Sequence, residues 1–154
     1  MALQRLTEYL GNHQVRYSTI SHTAAYTSQQ IAATAHIPGK MLAKTVIVKL
    51  DGKLAMVVIP AHRRIDLKWL RESTGHRQAE IAREYEFAGN FPGCETGAMP
   101  PFGNLYGMDV YVDEELTHDK NIAFNAGTHS ELIQMAYSDF EHLVKPRLLT
   151  EPHH

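Results

Sequence analysis

The 154-residue chain carries 15 Lys and Arg against 17 Asp and Glu, a formal charge of −2. This balance argues against a protein that binds nucleic acid tightly through charge, because such proteins carry a large basic excess. Weak contact with RNA stays open. A lone Cys94 cannot form an internal disulfide, which fits a reducing compartment. Because no apolar run approaches the ~20 residues of a membrane span and no signal-peptide core is visible, we expect a cytoplasmic protein without membrane contact, one domain over residues 1–154.

Hydrophobic periodicity in the first half predicts two helices, one strand and a hairpin. Apolar residues at helical spacing, a capping residue, β-branched runs and an Asp-Gly turn carry these assignments. In chain order they are a helix from Leu3 to Leu10 ended by Gly11-Asn12, a strand over 15–20, a helix over 31–36 capped by Thr27 or Ser28, and strands over 44–50 and 54–59 joined by Asp51-Gly52.

The second half continues with short elements around one long irregular stretch. The predicted elements are helices over 67–72 (opened by Asp66) and 82–88, a loop over 89–107, strands over 108–112, 122–124 and 131–136, and a helix over 139–144 capped by Ser138. A loop of that length in a compact domain is usually functional or disordered. The pattern indicates an α+β fold with a largely antiparallel or mixed sheet, without regular βαβ alternation.

Several common catalytic and metal-binding motifs are missing from the sequence. Ten histidines occur, but none has HxH or HExxH spacing and there is no CxxC pair, so we expect no metal. Cys94 lacks the surroundings of a known nucleophilic cysteine, and no GxSxG elbow is present. Neither GxxxxGK[ST] nor GxGxxG occurs, so no nucleotide cofactor is expected either.

Lys44 is the most informative charged residue. Side chains alternate along a strand, so Lys44 begins a face that continues with Val46, Val48 and Leu50. One interpretation is a lysine at the strand's end that extends into water. The other is an ammonium at the rim of an apolar pocket, which suits an anionic ligand such as a phosphate.

Two loop segments offer further candidate chemistry. The first, GAMPPFG over 97–103, combines stiffening prolines with glycines that permit close backbone approach to a ligand. Rigid loops of this type can present N–H groups to a developing oxyanion. The second, NAGTH over 125–129, is a turn between two strands whose His129 either points into a site or decorates the turn. Each segment alone is also compatible with plain turn chemistry.

Together these three elements resemble the YbaK/EbsC family, which is similar to the editing domain of bacterial prolyl-tRNA synthetases. The resemblance rests on Lys44-Thr45 opening an apolar strand, a GxxxP loop from Gly97 to Pro101, and Gly127-Thr128-His129 before a strand. It extends over about residues 15–146. It implies an α+β fold on a curved mixed sheet or barrel with packed helices. It further implies trans-editing, the hydrolysis of a mischarged aminoacyl-tRNA by a free-standing protein.

The resemblance also implies roles for individual residues. Lys44 would hold the terminal adenosine or its phosphate, Gly97 and Pro101 would form the loop at the aminoacyl carbonyl, and His129 would line the pocket; these four are the predicted catalytic residues. The predicted substrate-binding residues are His22, Thr23, Thr27, Met99, Pro100, Phe102, Gly127 and Thr128. Because the loop reads GAMPPFG, Met99 and Phe102 are expected to reshape the pocket.

The implied substrate is a small amino acid on the wrong tRNA, with Ala-tRNA-Pro first and Cys-tRNA-Pro second. Selection would be steric, as in a second sieve. Binding would be weak and assisted by a synthetase or elongation factor. A basic stretch could face the tRNA or simply be solvated: Arg63, Arg64, Lys68, Arg71 and Arg77. Two alternatives stay open, namely a non-catalytic module that binds nucleotides or tRNA ends, and a lysine Schiff-base enzyme.

Overall fold

The structure, a computed structural model, describes residues 2–21, 41–95 and 97–150. Its helices are α1 (Ala2–Asn12), α2 (Leu67–Thr74), α3 (Glu84–Phe87) and α4 (Tyr137–Val144), with 3₁₀ turns at Ala88–Asn90, Gly103–Leu105 and Glu114–His118. Its strands are β1 (Tyr17–Ser21), β2 (Ala43–Leu50), β3 (Lys53–Pro60), β4 (Ala79–Ile81), β5 (Asp109–Asp113), β6 (Asn121–Asn125), β7 (Glu131–Ala136) and β8 (Arg147–Leu149). Within these ranges, no helix is both long and apolar enough to cross a membrane.

The strands form two sheets, one mixed and one antiparallel. A five-stranded sheet has the order β4-β2-β3-β5-β8, and a three-stranded sheet has the order β1-β7-β6. β2 and β3 form the predicted hairpin, in which Asp51 (φ 50°) and Gly52 (φ 84°) supply the left-handed backbone of the turn. β3, β5 and β8 run parallel, so the sheet is mixed. The predicted α+β class is confirmed.

Among the described residues, one parallel bridge, between Leu42 and Ala123, joins the two sheets. The first half of β2 therefore lies beside β6, while its last three residues pair with β4 instead. We call this junction the seam. In the described part of the chain, β1 and β8 remain edge strands, so the predicted curved sheet does not close into a barrel.

Apolar side chains pack on both faces of the sheets. One face carries the larger core, in which Ile47 of β2 meets residues of α1, α4 and the loop before β5. The other face packs on α2 through Trp69 and Leu70, where Val48 and Leu50 of β2 are buried. Asp66 caps α2 by accepting hydrogen bonds from the two backbone N–H groups at 68 and 69, 3.0 and 3.1 Å long.

Several predicted boundaries change for tertiary reasons. The predicted helix over 82–88 shortens to Glu84–Phe87, because the chain just before it pairs as β4 with the end of β2. The last helix begins at Tyr137 with Ala136 before it, so the prediction that Ser138 caps it is wrong. β8 was not predicted, since its three residues become a strand only beside β5. The helix predicted over 31–36 lies outside the described residues.

Gly103→Ala is expected to destabilise the fold. A Cβ at Gly103 would stand 2.5 Å from Val110 Cγ2 and 2.7 Å from the Met108 carbonyl oxygen, so backbone must move. Overpacking of this kind costs about 2–3 kcal/mol, which lowers the melting temperature by about 5–10 °C in a chain of this size. Thermal unfolding checks this. Gly89→Ala is the matched control, because its Cβ meets nothing within 4 Å.

Candidate active site

Lys44 lies at the start of β2 with a half-buried side chain. It pairs with Ile59 across the hairpin, and Ile59 is only 1% exposed. Burial lowers the pKa of the Lys44 ammonium below its ordinary value, and the nearby Arg64 guanidinium lowers it further. An anion that binds beside such a cation stabilises it, because the anion compensates for the solvation that burial removes.

The seam sets what lies on the other side of Lys44. Leu42 is bridged to Ala123, and the two segments run in the same direction. Extended by two residues, this register directs Lys44 of β2 towards Asn125 at the end of β6. The turn that contains Gly127, Thr128 and His129 follows directly after Asn125.

Backbone hydrogen bonds fasten that turn to the long loop. The Gly127 N–H donates to the Ala98 carbonyl at 2.8 Å, and the Glu95 N–H donates to the Gly127 carbonyl at 2.8 Å. Both backbone groups of Gly127 (φ 102°) are thus used to hold the loop. The turn itself closes when the Ala126 N–H donates to the Glu131 carbonyl at 3.0 Å.

The exposed backbone of Gly97 approaches the ring of His129. Gly97 has φ 84°, and a Cβ built there would lie 3.6 Å from His129 Cε1 and 4.0 Å from Nε2. The structure therefore brings together two predicted catalytic residues that are 32 positions apart. Thr128 lies next to them, and its hydroxyl is 3.3 Å from a carboxylate oxygen of Glu131.

The remainder of the loop is anchored in the core. Met99, Pro100 and Pro101 are buried, and Phe102 is completely buried between the rings of Phe124 and Phe140. Phe102 thus has a packing role, and substrate contact by it and by Met99 stays a prediction. Pro101 also stays a predicted catalytic residue, one whose buried position stiffens the loop.

Helix α1 fixes the outer end of this loop. The Arg5 guanidinium donates to the Leu105 carbonyl, and Asn104 Nδ2 donates to the Tyr9 hydroxyl at 3.1 Å. Arg5 also lies over the Tyr106 ring, 5.1 Å from its centroid. Such contacts hold the backbone of the loop in one position, which a site built on backbone groups needs. The sequence did not reveal this role of α1.

The remaining predicted site residues differ in how far the structure describes them. His22, Thr23 and Thr27 lie outside the described residues. In the basic stretch, Arg63 forms an ion pair with Glu115, with 2.6 Å between Nε and Oε2. Arg64 lies near Lys44. Lys68, Arg71 and Arg77 are exposed. A tRNA-facing role for this stretch remains a prediction.

The arrangement is suited to binding and orienting a substrate. An ammonium on one side and a rigid, exposed glycine backbone beside an imidazole on the other could grip an anionic ligand and present a reacting group between them. Within residues 2–21, 41–95 and 97–150, no three His, Cys, Asp or Glu side chains are grouped so as to hold a metal ion. Asn125, whose buried Oδ1 adjoins this site, was not predicted as a site residue.

The aminoacyl-tRNA editing domain family matches the sequence over residues 22–143. The chain belongs to this family. The resemblance drawn from Lys44, the GxxxP loop and the Gly127-Thr128-His129 turn is thereby confirmed. No curated protein matches the sequence closely enough to show a nearer relative.

Solved structures with this fold cover almost the whole chain. One, proposed to be a trans-editing enzyme for prolyl-tRNA synthetase, has a TM-score of 0.83 at 15% identity and covers 99% of this chain and 98% of its own. Another, the hypothetical protein APE2540, has a TM-score of 0.83 at 20% identity and covers 96% and 97%. At these identities the likeness shows that the editing domain has the same fold as those proteins.

Proposed function

We propose that the protein is an aminoacyl-tRNA deacylase that removes a small amino acid from a mischarged tRNA in trans. The observation that carries this proposal is that Lys44, the turn after β6 and the Gly97 loop all lie near the seam. The register at the seam directs Lys44 towards the end of β6, and the turn after β6 is hydrogen-bonded to the loop that carries Gly97. A Cβ built on Gly97 would lie 3.6 Å from His129 Cε1. In an editing domain, this convergence supplies a place for the tRNA end and a place for the ester.

Lys44 binds the 3′ end of the tRNA in this proposal. Its ammonium is half-buried and lies near Arg64, so a phosphate of the terminal nucleotide would compensate for the cost of desolvation. Lys44 acts here as a cation that positions the substrate and forms no bond to it.

The Gly97–Pro101 loop orients the ester carbonyl. The oxygen of a bound water attacks the carbonyl carbon, and the carbon–oxygen bond to the ribose then breaks. The departing ribose oxygen takes up a proton, which leaves a free amino acid and an uncharged tRNA. An ester is already activated, so orientation together with N–H donors at the carbonyl oxygen can supply the needed acceleration without a nucleophilic side chain.

Substrate choice is steric in this proposal. A methyl group built on Gly97 would lie 3.6 Å from His129 Cε1, so the space between this backbone and the ring admits a group of about methyl size in ordinary van der Waals contact. The first substrates to test are therefore Ala-tRNA-Pro and Cys-tRNA-Pro. A pocket that excludes by size discriminates a methylene group by about 10- to 200-fold, so the cognate proline should resist cleavage.

The test is amino acid release from Ala-, Cys-, Ser- and Pro-tRNA-Pro under single-turnover conditions. We expect cleavage of at least one small aminoacyl ester and none of Pro-tRNA-Pro. If folded protein binds uncharged tRNA or AMP yet cleaves none of the four, the proposal fails for tRNA-Pro and a non-catalytic binding module becomes the better reading. Equal cleavage of all four would contradict steric selection.

A further inference from the structure

One buried oxygen near the seam has no hydrogen-bond partner among the described residues. Asn125 Oδ1 is buried and accepts no hydrogen bond from any residue that the structure describes. An unpaired amide oxygen out of water costs about 1–3 kcal/mol. A buried acceptor of this kind needs a donor from outside the described residues, and in a candidate site a bound substrate is one source of that donor.

The strand registers show which way this side chain points. Asn125 is paired with Leu132 of β7, and directly paired residues share a face of the sheet. Leu132 packs with Leu42 and Ala123, the two residues of the seam. Since Lys44 is two residues after Leu42, it lies on the same face as Asn125. Lys44 and Asn125 therefore lie on one face, on neighbouring strands near the seam.

The charges nearby select the kind of donor. Lys44 and Arg64 are both cationic, so a second ammonium, such as the α-ammonium of an amino acid, would be repelled at Asn125. A neutral hydroxyl meets no such cost. In a nucleotide whose phosphate contacts Lys44, the hydroxyl groups within one strand spacing are those of the ribose.

We propose that Asn125 Oδ1 accepts a hydrogen bond from the ribose hydroxyl next to the esterified one. This inference rests on the proposed function, because it assigns the ribose of the tRNA end to the seam. Asn125 is then a positioning residue that fixes the rotation of the sugar relative to the loop. It also lets the protein distinguish an RNA end from a deoxy end, since the vicinal hydroxyl is the group that differs.

The experiment compares substrates with and without that hydroxyl. Wild type, Asn125→Ala and the control Asn121→Ala are assayed for kcat/KM on the cleaved aminoacyl-tRNA ending in adenosine or in 2′-deoxyadenosine. Binding of AMP and 2′-deoxy-AMP is measured in parallel. Asn121 is a half-buried Asn on the same face of β6, at the opposite end of the strand from Asn125.

We expect Asn125→Ala to lower kcat/KM about tenfold on the substrate that ends in adenosine. On the substrate that ends in 2′-deoxyadenosine, Asn125→Ala and wild type should have the same kcat/KM. Wild type should likewise prefer AMP to 2′-deoxy-AMP by about tenfold, and Asn125→Ala should lose that preference. Asn121→Ala should match wild type throughout.

If Asn125→Ala lowers kcat/KM equally on both substrates, the proposed role of Asn125 is overturned. Deacylation by wild type would still support the proposed function in that case. Deacylation absent, with an Asn125-dependent preference for AMP retained, would overturn the proposed function and support the ribose contact. No preference for AMP in wild type would overturn the ribose contact directly.

Discussion

Lys44→Ala is expected to lower kcat/KM for the cleaved aminoacyl-tRNA by about 100- to 1000-fold. In the proposed function this substitution removes the ammonium that binds the tRNA end, so the ester would no longer be held against the Gly97 loop. Single-turnover deacylation measures the loss. The melting temperature should change little, because Lys44 is only half-buried and burial disfavours its charged form in the folded protein.

Lys53→Ala is the matched control for Lys44. Lys53 is 76% exposed at the hairpin end of the same sheet, and its ion pair with Asp109 is long at 3.9 Å. It should behave like wild type, since exposed pairs of this kind contribute little. Full activity in Lys44→Ala would remove Lys44 from the site. A borohydride-trapped adduct on Lys44 would instead make it a nucleophile and support the Schiff-base alternative.

Gly97→Ala is expected to lower deacylation by about 100-fold, because small misplacements of a positioning group have effects of that size. At φ 84° an alanine is strained, and its methyl group would occupy the space 3.6 Å from His129 Cε1. The backbone then shifts away from the ester or the ring turns aside. Rates at saturating and at low substrate separate a loss of orientation from a loss of binding.

Gly107→Ala separates backbone strain from the loss of site geometry. Gly107 has φ 70°, in the same left-handed region, but a Cβ there meets nothing within 4 Å. Both variants should lose about 1–2 kcal/mol of stability from the strained backbone, and only Gly97→Ala should lose activity. If the two variants lose activity equally, strain in the loop explains the effect and contact with His129 does not.

Local patterns in the sequence predicted the parts of the fold that local chemistry controls. The Asp51-Gly52 hairpin, α2 with its Asp66 cap and the strands β6 and β7 all carry their signals within a few residues. β4 and β8 have three residues each and exist only through their partners β2 and β5, so no periodicity could reveal them.

The site shows the same division between local and distant information. Lys44, Gly97 and His129 could be predicted because their motifs are recognisable in order along the chain. Asn125 could not, since its interest depends on the bridge between Leu42 and Ala123 and on the finding that no described residue donates a hydrogen bond to its Oδ1. The role of α1 depends on contacts about 100 residues apart, such as Arg5 with Leu105.

The seam has a consequence for how such a domain could change its substrate. Lys44 belongs to one sheet and the His129 turn to the other, and one bridge joins them among the described residues. A substitution that repacks Leu42 against Ala123 or Leu132 would shift one sheet against the other by a fraction of an ångström. The distance between Lys44 and the His129 turn, which the proposed function assigns to the tRNA end and the acyl group, would change while every motif residue stayed the same. Selectivity could thus drift through apolar substitutions that no motif comparison would detect.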